Sequence, residues 1–392
     1  MAAHPSYRPE LDGLRALAVL SVIGFHAEIP GFSGGYLGVD VFFVLSGYLI
    51  TRIIRRELTD GTFSLRRFYE RRARRILPAL LLVAIVSIPI GWFYLPPHRM
   101  TQFCDSLISL LTFSTNFHFY FESDYFAPAV AESIWVHGWS LALEEQFYVL
   151  FPLALLLLRN RPALTQATCM VLVLTLSFAL AVFVSSSDGE ASFYLLPMRA
   201  WELLAGAIVS FERDEYASPW TSGLGLALIA ASVAVLPEVP PGWMTVPAVA
   251  GTMLLLRYGR GFGVLSYRPW VAIGLVSYSA YLWHQPIFVL ARLRSTGPLS
   301  PITTSVCIAA TGVLAAASWY AFEQPFRRRL RGRTVASTLM AFALGLAAFA
   351  VAGRWSGGFP ERFPSDEAAL LRYLEYDTSE SYSDGRCNLT TN

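Results

Sequence analysis

The sequence predicts an all-α, polytopic membrane helix bundle: about eleven transmembrane helices plus one re-entrant or outer-surface segment, with a cytoplasmic N-terminus. Three observations predict it. Charged residues make up 15% of the 392, against about a quarter in a soluble domain. Hydrophobic residues make up 54%, and mean hydropathy is +0.47. The arginines gather in a few short loops between apolar runs.

Apolar segments of roughly 20 residues, the length that crosses a bilayer, occur at 14–30, 36–54, 76–95, 139–158, 167–185, 198–211, 220–236, 243–257, 270–291, 302–322 and 335–353. Segments 198–211 and 243–257 are short. A further stretch, 103–121, carries Asn116 and His118 and runs into Glu122-Ser-Asp124. The 52–75 loop holds Arg52, Arg55, Arg56, Arg66, Arg67, Arg71, Arg72, Arg74 and Arg75, and the 327–333 loop holds Arg327, Arg328, Arg329, Arg331 and Arg333. Positive loops stay in the cytoplasm. Two crossings before the first cluster therefore put the N-terminus inside. Treating 103–121 as re-entrant or surface-bound places Arg159 and Arg161 inside too, and the C-terminus outside. Three units follow: a transmembrane unit over 1–334, one more helix at 335–353, and an extracytoplasmic linker or tail at 354–392.

The first span is expected to be retained, because Tyr7-Arg-Pro-Glu-Leu-Asp-Gly-Leu-Arg15 precedes it and no small-residue cleavage site follows. Cys104, Cys169, Cys307 and Cys387 are scattered without ligand-like spacing, so neither a metal nor a disulfide framework is expected. With a net charge of +2, nothing suggests a nucleic-acid partner; membrane lipids are the expected surroundings.

Polar groups inside spans are costly and need a partner or a function. Arg15 and His26 lie about 20° past three full turns apart, hence on one helix face, roughly 16–17 Å apart along the axis. A lone helical histidine is often a packing residue. Its ordinary pKa near 6.5 also makes it the natural proton acceptor near neutrality. Asp40, in Gly38-Val-Asp-Val-Phe-Phe-Val-Leu-Ser-Gly47, reads as a salt-bridge partner within the bundle, and Ser46-Gly47 as a small pair for close helix approach. In Phe68-Tyr-Glu-Arg-Arg-Ala-Arg-Arg-Ile-Leu-Pro78, Arg71, Arg72 and Arg75 share helical spacings; they serve either topology and lipid headgroups or a phosphate clamp. Trp139-Ser-Leu-Ala-Leu-Glu-Glu-Gln-Phe-Tyr148 puts Glu144 and Tyr148 on one face and Glu145 about 100° away. Arg199 and Glu202 read as a buried ion pair. Ser277-Tyr-Ser-Ala-Tyr-Leu-Trp-His-Gln-Pro286 brings Tyr281 and His284, with a proline expected to kink or end its helix. Glu323-Gln-Pro325 is expected to close its helix at the inner face. So many polar sites on separate spans imply a central polar cavity.

Taken in order, these segments resemble the acyltransferase-3 family of bacterial membrane acyltransferases, which includes O-antigen and other surface-glycan O-acetyltransferases. The carriers run from Arg8 to Arg327: Leu11-Asp-Gly-Leu-Arg15 with the Arg15/His26 pair, the 38–47 and 68–78 runs, Trp139 to Tyr148, Arg199-x-Trp-Glu202-Leu, Ser277 to His284, and Glu323-x-Pro325. The resemblance implies transfer of an acyl group, usually acetyl, from cytosolic acyl-CoA (acetyl-CoA) to a hydroxyl of an extracytoplasmic or lipid-linked glycan such as a lipopolysaccharide O-antigen. It implies a multi-pass protein of the bacterial inner membrane. His26 matches the family's essential histidine, Arg15 its partner, and Arg71, Arg72 and Arg75 its cytosolic arginine motif. We expect Glu144 to orient the imidazole or complete the polar site. Gln285 departs from the tryptophan found in many relatives. The 359–364 tail resembles the linker of members carrying a periplasmic SGNH-hydrolase-like domain, appended or separate, although no motif of that domain is present. A polytopic transporter or flippase for a glycan or small solute is the alternative reading.

Overall fold

The computed structural model describes residues 7–122, 133–211, 216–236, 242–295, 297–328, 330 and 332–364. Ser123, Asp124, Arg329, Arg331 and the 365–392 part of the tail, with Cys387, lie outside the described residues.

The chain is a bundle of helices in the order α1 (Pro9–His26), α2 (Gly38–Thr59), α3 (Leu65–Tyr94), α4 (Pro97–Leu111), α5 (Thr115–Glu122), α6 (Gly138–Leu158), α7 (Ala163–Ser185), α8 (Gly189–Tyr194), α9 (Leu196–Val209), α10 (Pro219–Val235), α11 (Val246–Tyr258), α12 (Gly263–Ser266), α13 (Arg268–Leu275), α14 (Ser277–Arg292), α15 (Pro301–Arg328) and α16 (Gly332–Trp355). Each apolar segment expected from the sequence falls on helix. Six stretches among the described residues are long and apolar enough to cross a membrane by length and composition: Gly35–Thr59, Leu65–Tyr94, Gly138–Leu158, Ala163–Ser185, Pro301–Arg328 and Gly332–Trp355.

Helix starts follow local chemistry. Ser64 caps α3 by accepting from the Arg67 amide, and Ser300 caps α15 by accepting from the Thr303 amide. Prolines sit in the first turns of α1, α10 and α15, where no amide proton is needed. Three expectations are corrected. The 270–291 segment breaks at Val276 into α13 and α14. Of the two outcomes expected at Pro286, an end is overturned, because α14 runs on to Arg292; packed neighbours let membrane helices absorb a proline. Nor does Glu323-Gln-Pro325 close α15, which passes through a π turn at Trp319–Glu323 and continues to Arg328. The π turn shifts the register so that the Ser279 hydroxyl reaches the Glu323 carboxylate.

The 103–121 stretch is two helices, α4 and α5, joined through Phe113 at φ +53°. Asn116 is satisfied there, donating to the Tyr194 carbonyl at 3.1 Å and accepting from Gln146 at 2.8 Å.

Helices α2 and α9 cross in backbone contact. A Cβ on Gly47 would sit 1.8 Å from the Leu203 carbonyl oxygen, and one on Gly206 1.8 Å from that of Val44. Small residues at such points let membrane helices touch backbone to backbone. Phe43, Leu143, Phe147, Tyr148 and Leu203 pack the core between α2, α6 and α9. Leu172, Phe183, Val313 and Leu344 on α7, α15 and α16 face outward, as helices surrounded by lipid require.

The tail begins docked. After α16 the chain turns through Gly357, Gly358 and Phe359, and Arg362 donates to the Trp92 and Leu95 carbonyls at the end of α3. Those carbonyls are orphaned by the helix end, which is why a guanidinium settles there. Arg354 pairs with Asp105 on α4.

Candidate active site

Arg15 stands in the second turn of α1 and His26 in its last. The intervening residues are one unbroken helix, so the sequence spacing becomes a fixed separation of roughly 16–17 Å along the axis. The two residues face different polar groups.

Around Arg15, a cavity of about 110 Å³ opens between α1, α2, α3, α6 and α14. Its polar lining includes Arg15, Ser46, Arg72, Arg75, Glu144 and Tyr148, with Ser140 and Tyr281 on its wall as well. The volume holds several waters or a stretch of a chain-like ligand. Arg15 pairs with Asp12 at 3.1 Å. Glu144 accepts from Ser46 at 2.8 Å and from Tyr148 at 3.2 Å. The Arg72 guanidinium lies 3.7 Å above the Tyr148 ring and 4.0 Å from Glu145. Arg75 lines the cavity without a hydrogen bond or ion pair among the described residues.

The expected arginine trio therefore divides. Arg72 and Arg75 face the cavity, whereas Arg71 is half exposed and pairs with Glu57 at 2.8 Å. Arg74 donates to the Phe326 and Leu330 carbonyls at 3.1 and 3.0 Å, capping the end of α15. Glu144 sits with the cavity arginines, bonded to Ser46 and Tyr148, rather than beside His26.

At the far end of α1, three of the six histidines meet. The His26 and His284 rings are 5.2 Å apart, and those of His284 and His137 are 5.6 Å apart. Arg292 donates to the His26 carbonyl and pairs with Glu28 at 3.0 Å, so α14 grips the end of α1. His284 is fully buried, its Nδ1 2.5 Å from the Tyr281 carbonyl and its Nε2 without a partner. A carbonyl only accepts, so Nδ1 carries the proton and Nε2 presents a lone pair. His137, 3% exposed, closes no full hydrogen bond at either ring nitrogen, the Ile134 carbonyl being the main-chain group beside the ring. Sequence reasoning missed His137 because it lies just ahead of the apolar run that opens at Trp139. Its signal was the placement of a histidine at the mouth of a span that carries two carboxylates.

The wall between the two groups is a single hydroxyl pair. Tyr281 Oη and Ser140 Oγ are hydrogen-bonded at 2.7 Å, one donating to the other, and they stand 3.0 and 3.2 Å from the His137 carbonyl, which accepts the remaining proton. The cavity thus ends one hydrogen bond short of the histidines.

Arg199, Asp40 and Glu202 form a separate, closed group. Arg199 is 3.5 Å from Asp40 and 3.1 Å from Glu202, and all three are at most 2% exposed. The guanidinium is boxed by the Phe43, Trp139 and Phe193 rings at 5.3–5.7 Å. This group ties α2 to α9 and opens onto neither the cavity nor the histidines.

The chain is 30% identical over 357 residues to the O-acetyltransferase OatA of Staphylococcus aureus, covering 83% of this chain and 58% of that protein. It is 30% identical over 354 residues to the peptidoglycan O-acetyltransferase OatA of Listeria monocytogenes, covering 82% and 56%. It is 28% identical over 429 residues to the putative peptidoglycan O-acetyltransferase YrhL of Bacillus subtilis, covering 97% and 67%. The chain thus spans little more than half the length of the two OatA proteins. No solved structure matches it. Residues 8–321, which contain the cavity lining, the three histidines and the Arg199 group, match the acyltransferase domain that defines the acyltransferase-3 family, and the chain belongs to that family.

Proposed function

We propose that the chain is a membrane O-acyltransferase that moves an acetyl group from acetyl-CoA on the cytoplasmic side to a glycan hydroxyl on the other side. The observation that carries it is α1 itself, which joins the arginine-lined cavity at Arg15 to the histidine group at His26. The positive-inside rule puts the arginine end in the cytoplasm and His26 toward the outer face of the bacterial inner membrane. Arg15, Arg72 and Arg75 attract the phosphates of the donor, Arg75 being the cavity cation without a protein partner among the described residues. The cavity would take the pantetheine arm, which carries the thioester toward the Ser140–Tyr281 wall.

His26 then serves as general base. It takes the proton of the acceptor hydroxyl as the hydroxyl oxygen bonds to the acyl carbon. The tetrahedral intermediate collapses with cleavage of the carbon–sulfur bond, and the departing thiolate receives the proton from the His26 imidazolium. Acetyl ester and CoA thiol are the products, and no proton is gained or lost overall.

Peptidoglycan, which appears in the names of two relatives, is the first acceptor to test, and a lipopolysaccharide O-antigen the second. A periplasmic SGNH-like domain, appended or separate, would meet the chain where residues 354–364 leave α16 on the acceptor side. The test is labelled acetyl-CoA added to membranes, with analysis of the acetylated glycan. Wild type should label the glycan and His26→Ala should not, while inserting normally in the membrane. Full activity in His26→Ala, or glycan movement without acetyl-CoA consumption, overturns the reading in favour of transport.

A further inference from the structure

A buried imidazole with no partner at either nitrogen is costly, about 1–3 kcal/mol for each polar atom left unpaired. His137 closes no full hydrogen bond at either nitrogen, yet its main chain is held in place. Its main-chain carbonyl accepts from the bonded pair of Tyr281 and Ser140, the two hydroxyls that end the cavity. Its ring meets those of His284 at 5.6 Å, Tyr281 at 5.5 Å and Trp135 at 6.2 Å. The backbone is held and the ring left uncommitted, at the point where a chain threaded through the cavity would arrive.

Hydrogen-bond accounting then assigns a role. A neutral imidazole has one N–H and one lone pair. His284 spends its N–H on the Tyr281 carbonyl and offers only a lone pair. His26, as base, must turn a lone pair to the acceptor hydroxyl. The Tyr281 and Ser140 hydroxyls are committed to each other and to the His137 carbonyl. Among the described residues here, His137 and Trp135 each keep an N–H that no hydrogen bond uses, and His137 is the one whose ring meets His284 and Tyr281.

We propose that His137 is a second catalytic residue, its ring N–H donating to the carbonyl oxygen of the acyl group during transfer; this rests on the acyl-transfer reading above. When the acceptor oxygen bonds to the acyl carbon, the carbonyl π electrons move onto oxygen, and that oxyanion receives the His137 hydrogen bond. When the carbon–sulfur bond breaks, the carbonyl re-forms and the hydrogen bond relaxes. His137 keeps its proton throughout, so the proton transfer by His26 remains balanced.

The experiment compares His137→Gln with His137→Met. Both are close to imidazole in size, but only glutamine keeps an N–H donor. Acetyl-CoA binding to each purified variant reports an intact cavity. Removing one donor to a developing oxyanion costs about 10²–10³-fold in kcat. Methionine should show that loss with unchanged acetyl-CoA affinity, and glutamine should stay at least tenfold above it. Equal kcat in the two variants, at whatever level, overturns the proposal, because a packing role would not distinguish them. Should the glutamine variant fail to bind acetyl-CoA, His137→Asn carries the same amide and takes its place. His26→Ala run in parallel separates the two readings. Its full activity would remove the acyl-transfer mechanism, whereas its loss beside equal Gln and Met values removes only the role of His137.

Discussion

The His26 and His284 rings lie 5.2 Å apart, centre to centre, although one ends the first helix and the other sits inside the helix that holds Arg292. That spacing leaves room for a hydrogen bond, direct or through one water, from a His26 N–H to the unpartnered Nε2 of His284. Such a bond would hold His26 in the tautomer that turns its other nitrogen toward an acceptor. His284→Phe keeps a ring in the site and deletes the lone pair. Transfer should fall by about 10²-fold, the lower range for general acid–base effects. Initial rates of glycan labelling in membranes with equal protein content check it; an unchanged rate would show that His284 only fills space.

The Arg199 group should govern stability rather than turnover. Arg199→Ala leaves Asp40 and Glu202 buried without their cation. Removing one member of a buried ion pair costs about 3–5 kcal/mol. The expected result is a sharply lower melting temperature in detergent, with the KM for acetyl-CoA unchanged in the protein that survives. A large KM change at unaltered melting temperature would place Arg199 in the substrate path instead.

The α2–α9 crossing has no slack. Gly47→Ala puts a methyl group 1.8 Å from the Leu203 carbonyl oxygen, a main-chain atom that cannot swing aside. The helices must part, and that disturbs the wall of α2 that carries Ser46 and the cavity. We expect loss of monodisperse protein on gel filtration. Gly345→Ala, on the open face of α16, should behave as wild type.

How much of this was legible depends on which force decides each feature. Transfer from water to lipid is read from any apolar run, so every expected segment falls on helix. The 3.6-residue period aligns Arg15 with His26 before any tertiary contact exists. Side-chain direction within a cluster is different. Arg71, Arg72, Arg74 and Arg75 look equivalent in sequence, and their division follows from where Glu57, Tyr148 and the end of α15 lie. His137 stayed hidden because it precedes its span rather than interrupting one. The break at Val276 follows Gly274 by two residues, and a lone glycine inside an apolar run does not by itself announce a helix end.

The division of the arginines can be tested directly. Arg71 belongs to an exposed pair with Glu57, and exposed pairs contribute about 0–1 kcal/mol. Arg75 faces the cavity without a protein partner among the described residues, so its charge is available to a phosphate. Hydrogen bonds to charged groups contribute about 1.5–3 kcal/mol, which corresponds to roughly ten- to hundredfold in affinity. Arg75→Ala should therefore raise the Kd for acetyl-CoA by that factor and flatten its dependence on salt. Arg71→Ala should change neither by more than about threefold. Isothermal titration of the two purified variants at low and high salt distinguishes them. Equal weakening by both would restore the undivided arginine clamp that helical spacing alone suggests.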